Sequence, residues 1–239
     1  MRVMTAGESN PKLAKGVDSG YLTAGLSLAP AVLAGDKPMC VDWKDCIDDC
    51  LFHQGRGRVK VVRDARIRKT IEFLSNPISF INREIVPDLA LLERQAEKKG
   101  LKAAARLNVF SDVRWERYRN ELMDSFPNIA FYDYTKDYKR MIQWLNGELP
   151  KNYFLAFSRT QSNEDKAVTL LGLGACVAIV IEEQPPHWYT FPTVSGDDHD
   201  LIFLHGRSKV ITLTPKGSAK KNEEGFLIRK DTDAEVSLS

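Results

Sequence analysis

The chain has 239 residues, of which 43% are hydrophobic and 28% charged, with a net charge of +2. That length suits one large domain, and the composition excludes a disordered chain. The small net charge gives no pull towards nucleic acid or membrane. No run reaches the roughly 18 apolar residues of a membrane helix, and "MRVMTAGESN" lacks the apolar core of a signal peptide. A cytoplasmic protein is therefore expected.

In chain order, Met1–Pro38 reads as loop with one short strand near Tyr21–Leu28. A cysteine loop follows, ending in "HQGRGR", where Gly55 and Gly57 permit a tight backbone path. Val62, Ala65, Ile67, Ile71 and Leu74 have roughly helical spacing over Val59–Leu74. Its cations Arg56, Arg58, Lys60, Arg63, Arg66, Arg68 and Lys69 read as a solvated face, with phosphate binding as the other option. A helix over Ile78–Lys99 is expected to be kinked or divided at Pro87. Its end, "EKKG", puts cations and a glycine where a helix stops.

The chain then alternates. Strands are expected at Ala103–Val109, Ile129–Tyr134, Tyr153–Phe157 and Cys176–Ile181, with helices at Val113–Phe126, Lys136–Leu145 and Asn163–Gly172. Short strands follow near Leu201–Leu204 and Val210–Leu213. Such alternation implies right-handed crossovers and a parallel sheet. The expected fold is α/β, a complete or partial (β/α) TIM-like barrel spanning residues 1–228, with a flexible tail at 229–239. An open doubly wound sheet is the second choice.

Function in such sheets sits at the carboxyl ends of strands. Those ends carry Asn108, Ser111 and Asp112, then Tyr134, Thr135 and Lys136, then Ser158 and Arg159, then Glu182 and Glu183. Ser111, Asp112 or Ser162 could each be a helix cap. Several successive polar strand ends on one rim nevertheless describe a pocket. Asp197, Asp198 and Asp200 in "SGDDHD" would suit, with Asp112, a carboxylate-metal hydrolase, but their spacing reads as a solvated turn.

Three of the four cysteines, Cys40, Cys46 and Cys50, stand in "MCVDWKDCIDDC" as C-x5-C-x3-C. A disulfide is disfavoured by compartment and by the odd number, and inert core thiols do not sit among five acidic and basic neighbours. Zinc would need a fourth ligand, for which His53 is available. An iron–sulfur cluster is the leading reading, because three thiolates leave one iron open to an exogenous ligand. Cys176 lies in an apolar strand and reads as core.

"AGESNPKL", the cysteine loop with "QGRGR", "RLNVFSDVRWE", "FPNIAFYDYTK" and "LPKNYFLAFSRTQSNEDKA" together resemble a largely bacteriophage-encoded family, the gene-product-eighty-eight-like proteins. The last three stretches also resemble a wider set of phage three-cysteine proteins. That set is similar in turn to the radical S-adenosylmethionine superfamily, whose partial barrel carries a three-cysteine loop after its first strand. The chain departs from that superfamily in its spacings, in Asp49 where an aromatic precedes the last cysteine, and in lacking a Gly-Gly-Glu-like segment.

The resemblance implies that Cys40, Cys46 and Cys50 ligate a [4Fe-4S] cluster whose open iron binds S-adenosylmethionine. One-electron reduction would then give an adenosyl radical that takes hydrogen from a small-molecule or nucleotide substrate, with a reductant protein as partner. On this reading Asp112 and Lys136 are catalytic, and Asn108, Ser111, Tyr134, Ser158 and Arg159 bind cofactor. Asp112 would position a ribose hydroxyl or transfer a proton, and Lys136 and Arg159 would hold carboxylate or phosphate. The rival is a zinc-binding structural or nucleic-acid-binding protein that uses the same cysteines.

Overall fold

The computed structural model describes residues 3–7 and 14–230. Most of the "AGESNPKL" stretch, and residues 231–239 of the expected tail, lie outside them. Strands are β1 (Met4–Ala6), β2 (Tyr21–Leu26), β3 (Lys102–Arg106), β4 (Ile129–Thr135) and β5 (Tyr153–Ser158). They continue as β6 (Cys176–Ile181), β7 (His187–Trp188), β8 (Phe191–Ser195), β9 (Val210–Leu213) and β10 (Leu227–Ile228). Helices are α1 (Lys60–Ser75), α2 (Pro77–Phe80), α3 (Val86–Lys98), α4 (Trp115–Tyr118), α5 (Tyr138–Leu145) and α6 (Glu164–Gly172).

The sheet runs β1-β2-β3-β4-β5-β6-β9-β8-β7, with β10 alongside β6. From β2 to β6 each strand lies parallel to the one before it in sequence, while β1 and β7 pair antiparallel at the two edges. The sheet does not close, so a complete barrel is not formed. A doubly wound sheet is not formed either. Leu89 and Leu92 of α3, Met141 of α5 and Leu170 of α6 pack into one cluster with Ala105, Phe131, Phe157 and Val177. The alternate residues Ala104, Tyr132, Ala156 and Ile211 pack instead with Leu201 and Ile202. Thus the crossover helices share one face, and the other is filled by a loop.

That loop corrects the expectation of a strand at Leu201–Leu204. Ile202–Leu204 is a 3-10 turn, and the Phe203 ring packs on Tyr21, Tyr132 and Phe154. A short apolar run reads alike as strand or plug, because periodicity does not separate them. The helix expected over Val113–Phe126 is a single turn, α4. The Asn152 side-chain amide donates to the carbonyls of Met123, Phe126 and Ile129. The side chain thus takes up carbonyls that a longer helix would have satisfied with its own N–H groups. Residues Ile81–Ile85 form a π turn just before Pro87. The widened turn accommodates the missing proline N–H, so the helical backbone runs on into α3 without a break. Strand β3 stops at Arg106, and β1 emerges where only loop was expected. β1 is tied down by Asp88, whose carboxylate accepts from the Val3 and Met4 amides.

Candidate functional site

The cysteine loop lies across the carboxyl ends of the parallel strands, held at both ends and in the middle. Met39 N donates to Ala31 O, and Asp112 N to Met39 O, fixing Cys40 beside the end of β3. The Asp45 carboxylate accepts from the hydroxyls of Thr160 and Ser162 beyond β5, so Ser162 is a loop tether rather than a helix cap. Asn222 donates to Asp49 at 2.7 Å, and Ser218 to the Asp48 carbonyl at 2.8 Å. A Cβ on Gly57 would sit 1.7 Å from the Phe52 carbonyl oxygen, so the turn after Cys50 accepts no side chain there. The Arg66 guanidinium stacks over Phe110 at 4.5 Å and Phe52 at 5.4 Å. It is therefore part of the loop's packing, not of a solvated face.

Cys40, Cys46 and Cys50 all line one cavity of about 140 Å³, shared with Asn108, Ser111 and Lys136. The three thiols are half-buried. Burial pushes the Cys40 thiol up to about 12, and burial likewise raises Cys50. Lys136 Nζ lies 2.9 Å from Cys46 Sγ. Burial by itself would lower the Lys136 ammonium. The charge and hydrogen bond of Cys46, with Cys40 and Asp112, more than offset that and hold it above its ordinary value.

Among the described residues no three His, Cys, Asp or Glu side chains converge closely enough to cage a metal ion. A single zinc ion draws its sulfurs to about 2.3 Å from one point, so no such cage is preformed. His53 turns edge-on to Phe52, with ring centroids 5.3 Å apart, and does not line the thiol cavity. The cavity carries three thiols in its lining and is several times a water's share of liquid volume, about 30 Å³.

The thiol cavity shares Cys46, Cys50, Arg106, Tyr134, Lys136 and Ser158 with a larger cleft of about 640 Å³ on the helix-free face of the sheet. That volume suits a cofactor or small-molecule ligand. Its floor holds the Arg106–Asp200 pair at 2.7 Å, with the Arg106 guanidinium 4.7 Å over the Tyr134 ring. Burial raises the Tyr134 hydroxyl far above its ordinary value, and the Asp200 charge raises it further. Arg159 lines the cleft but is committed to Glu164 and to the carbonyls of Gly225 and Phe226. It anchors the C-terminal arm instead of waiting for an anion.

Asn108, Ser111 and Asp112 hold the wall behind the thiols. Asn108 Oδ1 accepts from Ser111 Oγ, Val113 N and Trp115 Nε1, and its amide donates to Val113 O and Asp133. Asp112 accepts from Thr135 Oγ1 and Lys136 N at 2.9 Å and from Arg140 at 3.2 Å. Burial raises the Asp112 carboxyl, with Arg140 opposing. Arg140 in turn reaches Glu116 and Tyr153, and Tyr153 donates to Asp133. Asn108, Ser111 and Asp112 are thus engaged with their own wall and set the geometry of the rim.

The acids of "SGDDHD" do not gather. Asp197 accepts from Thr214 and Lys216, Asp198 is exposed, and Asp200 is buried against Arg106. Only the last departs from the expected solvated turn; Arg106, Asp133 and Arg140 are the residues that sequence reasoning missed. Arg106 had a signal, since "AAAR" alternates inward and outward and puts the cation on Ala104's face. Glu182 and Glu183 pair with Arg229 and Lys230 at the surface. Cys176 is buried, its thiol donating to the Gly206 carbonyl at 3.0 Å, a core residue as expected.

Residues 3–230 match the family gene product 88, and the chain belongs to that family. No curated protein and no solved structure matches the chain. No helix among the described residues is long and apolar enough to cross a membrane.

Proposed function

We propose that this gene product 88 protein is an iron–sulfur enzyme of the radical S-adenosylmethionine type. Cys40, Cys46 and Cys50 hold a [4Fe-4S] cluster, and the adjoining cleft takes S-adenosylmethionine and a small-molecule or nucleotide substrate. One observation carries the reading: all three thiols line a single cavity that shares a wall with a ligand-sized cleft. The consecutive parallel order from β2 to β6, with crossover helices on one face, is the arrangement a partial barrel requires.

Such a cluster supplies one-electron reduction of a bound sulfonium and, through it, hydrogen abstraction from substrate. The chain's own residues bind and orient. Tyr134, Ser158 and Lys136 stand where the two spaces meet, within reach of any ligand that bridges them. The Arg106–Asp200 pair presents both charge signs on the cleft floor, which suits a zwitterionic or polar ligand. Phe110, Val180, Leu213 and Phe226 add apolar lining against which a ligand can pack.

The test is anaerobic purification and reconstitution with iron and sulfide, followed by reductant and S-adenosylmethionine. A brown protein holding iron and sulfide near four each per chain, and forming 5′-deoxyadenosine, is the expected result. The same protein carrying Cys46→Ala should load neither. Colourless protein with one zinc per chain would replace the proposal by the structural zinc reading.

A further inference from the structure

We propose that the cleft takes a nucleoside monophosphate as substrate, its phosphate held between Lys15 and Lys216. As a substrate assignment this rests on the enzyme reading above; as a binding site it rests on the cleft alone. Lys15 and Lys216 both line the cleft, and neither lines the thiol cavity. They come from distant parts of the chain and meet at one residue. Lys15 Nζ donates to the Asp197 carbonyl at 2.6 Å, and Lys216 Nζ to the Asp197 carboxylate at 2.8 Å.

The charges at this end do not balance. Asp197 is pinned by Thr214, whose amide and hydroxyl both donate to its carboxylate. Its single charge serves Lys216, while Lys15 has, among the described residues, only a carbonyl. The other charged groups of the cleft are engaged elsewhere: Arg106 with Asp200, Arg159 with Glu164, Asp49 with Asn222 and Lys136 with Cys46. A surplus cation therefore stands beside Asp197. A carboxylate is best matched by the fork of an arginine, whereas two ammonium groups are point charges. They suit a phosphate monoester, which brings three acceptor oxygens and close to two negative charges at neutral pH.

Between these lysines and the thiols stand Arg106 and Tyr134, which line both spaces. Bases are recognised by stacking on rings or guanidinium planes and by hydrogen bonds to their edges. The Arg106 guanidinium lies 4.7 Å over the Tyr134 ring, and its Nε is buried with no partner. The Asp200 carboxylate is beside it at 2.7 Å. A donor and an acceptor thus stand side by side, as a base edge requires, and Phe110 and Phe226 add aromatic lining. Bound this way, the phosphate points away from the thiols and the nucleoside towards them.

The test is calorimetric titration of the full-length protein, at low ionic strength, with adenosine, guanosine, cytidine and uridine 5′-monophosphates, the parent nucleosides and inorganic phosphate. One monophosphate at least is expected to bind, about tenfold or more tighter than its nucleoside. The double variant Lys15→Gln, Lys216→Gln should lose that preference and keep the nucleoside's affinity. Both lysines are exposed enough for the variant to fold, and an unchanged thermal midpoint checks this; should it not fold, Lys216→Gln alone is expected to lose part of the preference. No binding of any monophosphate overturns the proposal. So does equal affinity for monophosphate and nucleoside, unchanged affinity in the folded variant, or inorganic phosphate binding as tightly as the nucleotide. Monophosphate binding by protein that takes up no iron sinks the iron–sulfur reading and supports the site. Protein that loads iron and forms 5′-deoxyadenosine but binds no monophosphate does the reverse.

Discussion

Asn222 donates its side-chain amide to the Asp49 carboxylate at 2.7 Å, across 173 residues of sequence. The same side chain's oxygen accepts from the amides of Glu224 and Phe226, so Asn222 shapes the C-terminal arm while gripping the cysteine loop. Ser218 adds a second grip, accepting from Gln54 and donating to the Asp48 carbonyl.

The double change Asn222→Ala, Ser218→Ala should loosen the loop without unfolding the sheet. Each lost hydrogen bond is worth about 1 kcal/mol. With both grips lost, about 2 kcal/mol, local opening should become roughly thirtyfold easier. Labelling of the loop thiols by a disulfide reagent should quicken by that factor, while the thermal midpoint moves by only a few degrees. Unchanged labelling would mean that the loop is held elsewhere.

Gly57→Ala should be far worse than Gly55→Ala. At Gly57 the new Cβ meets backbone, the Phe52 carbonyl oxygen at 1.7 Å, and only a shift of the chain after Cys50 relieves it. At Gly55 the space is open, and the cost is that of a positive φ of 50°, about 1 kcal/mol. Urea midpoints of the two variants, measured side by side, check the ranking.

Asn108→Ala should destabilise the fold by about 3 kcal/mol or more. It strands Ser111 Oγ, Val113 N and Trp115 Nε1 in the interior, each left with a desolvation penalty. Urea unfolding measures the loss. A variant with wild-type stability that fails only to bind cofactor would return Asn108 to the binding role that its place in the sequence suggests.

Asp133 predicts a pH dependence of stability. Burial pushes its carboxyl up from 3.8 to about 7, with Arg140 opposing. Between those values the folded state keeps a proton that the unfolded state has released, so stability falls as pH rises. The contribution is fully present below about 3.8 and lost as pH passes about 7. Wild-type protein should lose more of its urea midpoint between pH 5 and pH 8 than Asp133→Asn, which cannot ionise. Parallel curves would contradict the assignment.

Much of this architecture is legible in the sequence because its strands are buried on both faces. "CVAIVI" and "YFLAFS" announce themselves as β6 and β5, and the rim they end on follows from the alternation. What stayed hidden is long-range. Arg106 and Asp200 meet across 94 residues, and no local pattern encodes such a pairing. Asn108 was legible as a polar strand end but not as a hub, because an amide facing a ligand and an amide facing its own turn are written alike. The helix expected after Val113 failed for a related reason: Asn152 reaches back from the start of β5 to occupy its carbonyls. Strands as short as His187–Trp188 carry too few residues for any period to show.

The sheet ends at both margins in stubs, Met4–Ala6 on one side and His187–Trp188 on the other. Among the described residues, a strand from another copy laid along either border would find two or three backbone groups to engage. Beyond the first stub, Tyr21 N is taken by the Gly16 carbonyl. Sideways accretion of one molecule onto the next is thereby starved of purchase. A sheet that never meets itself end to end gains through its blunt borders the protection against fibrous growth that closure would have given.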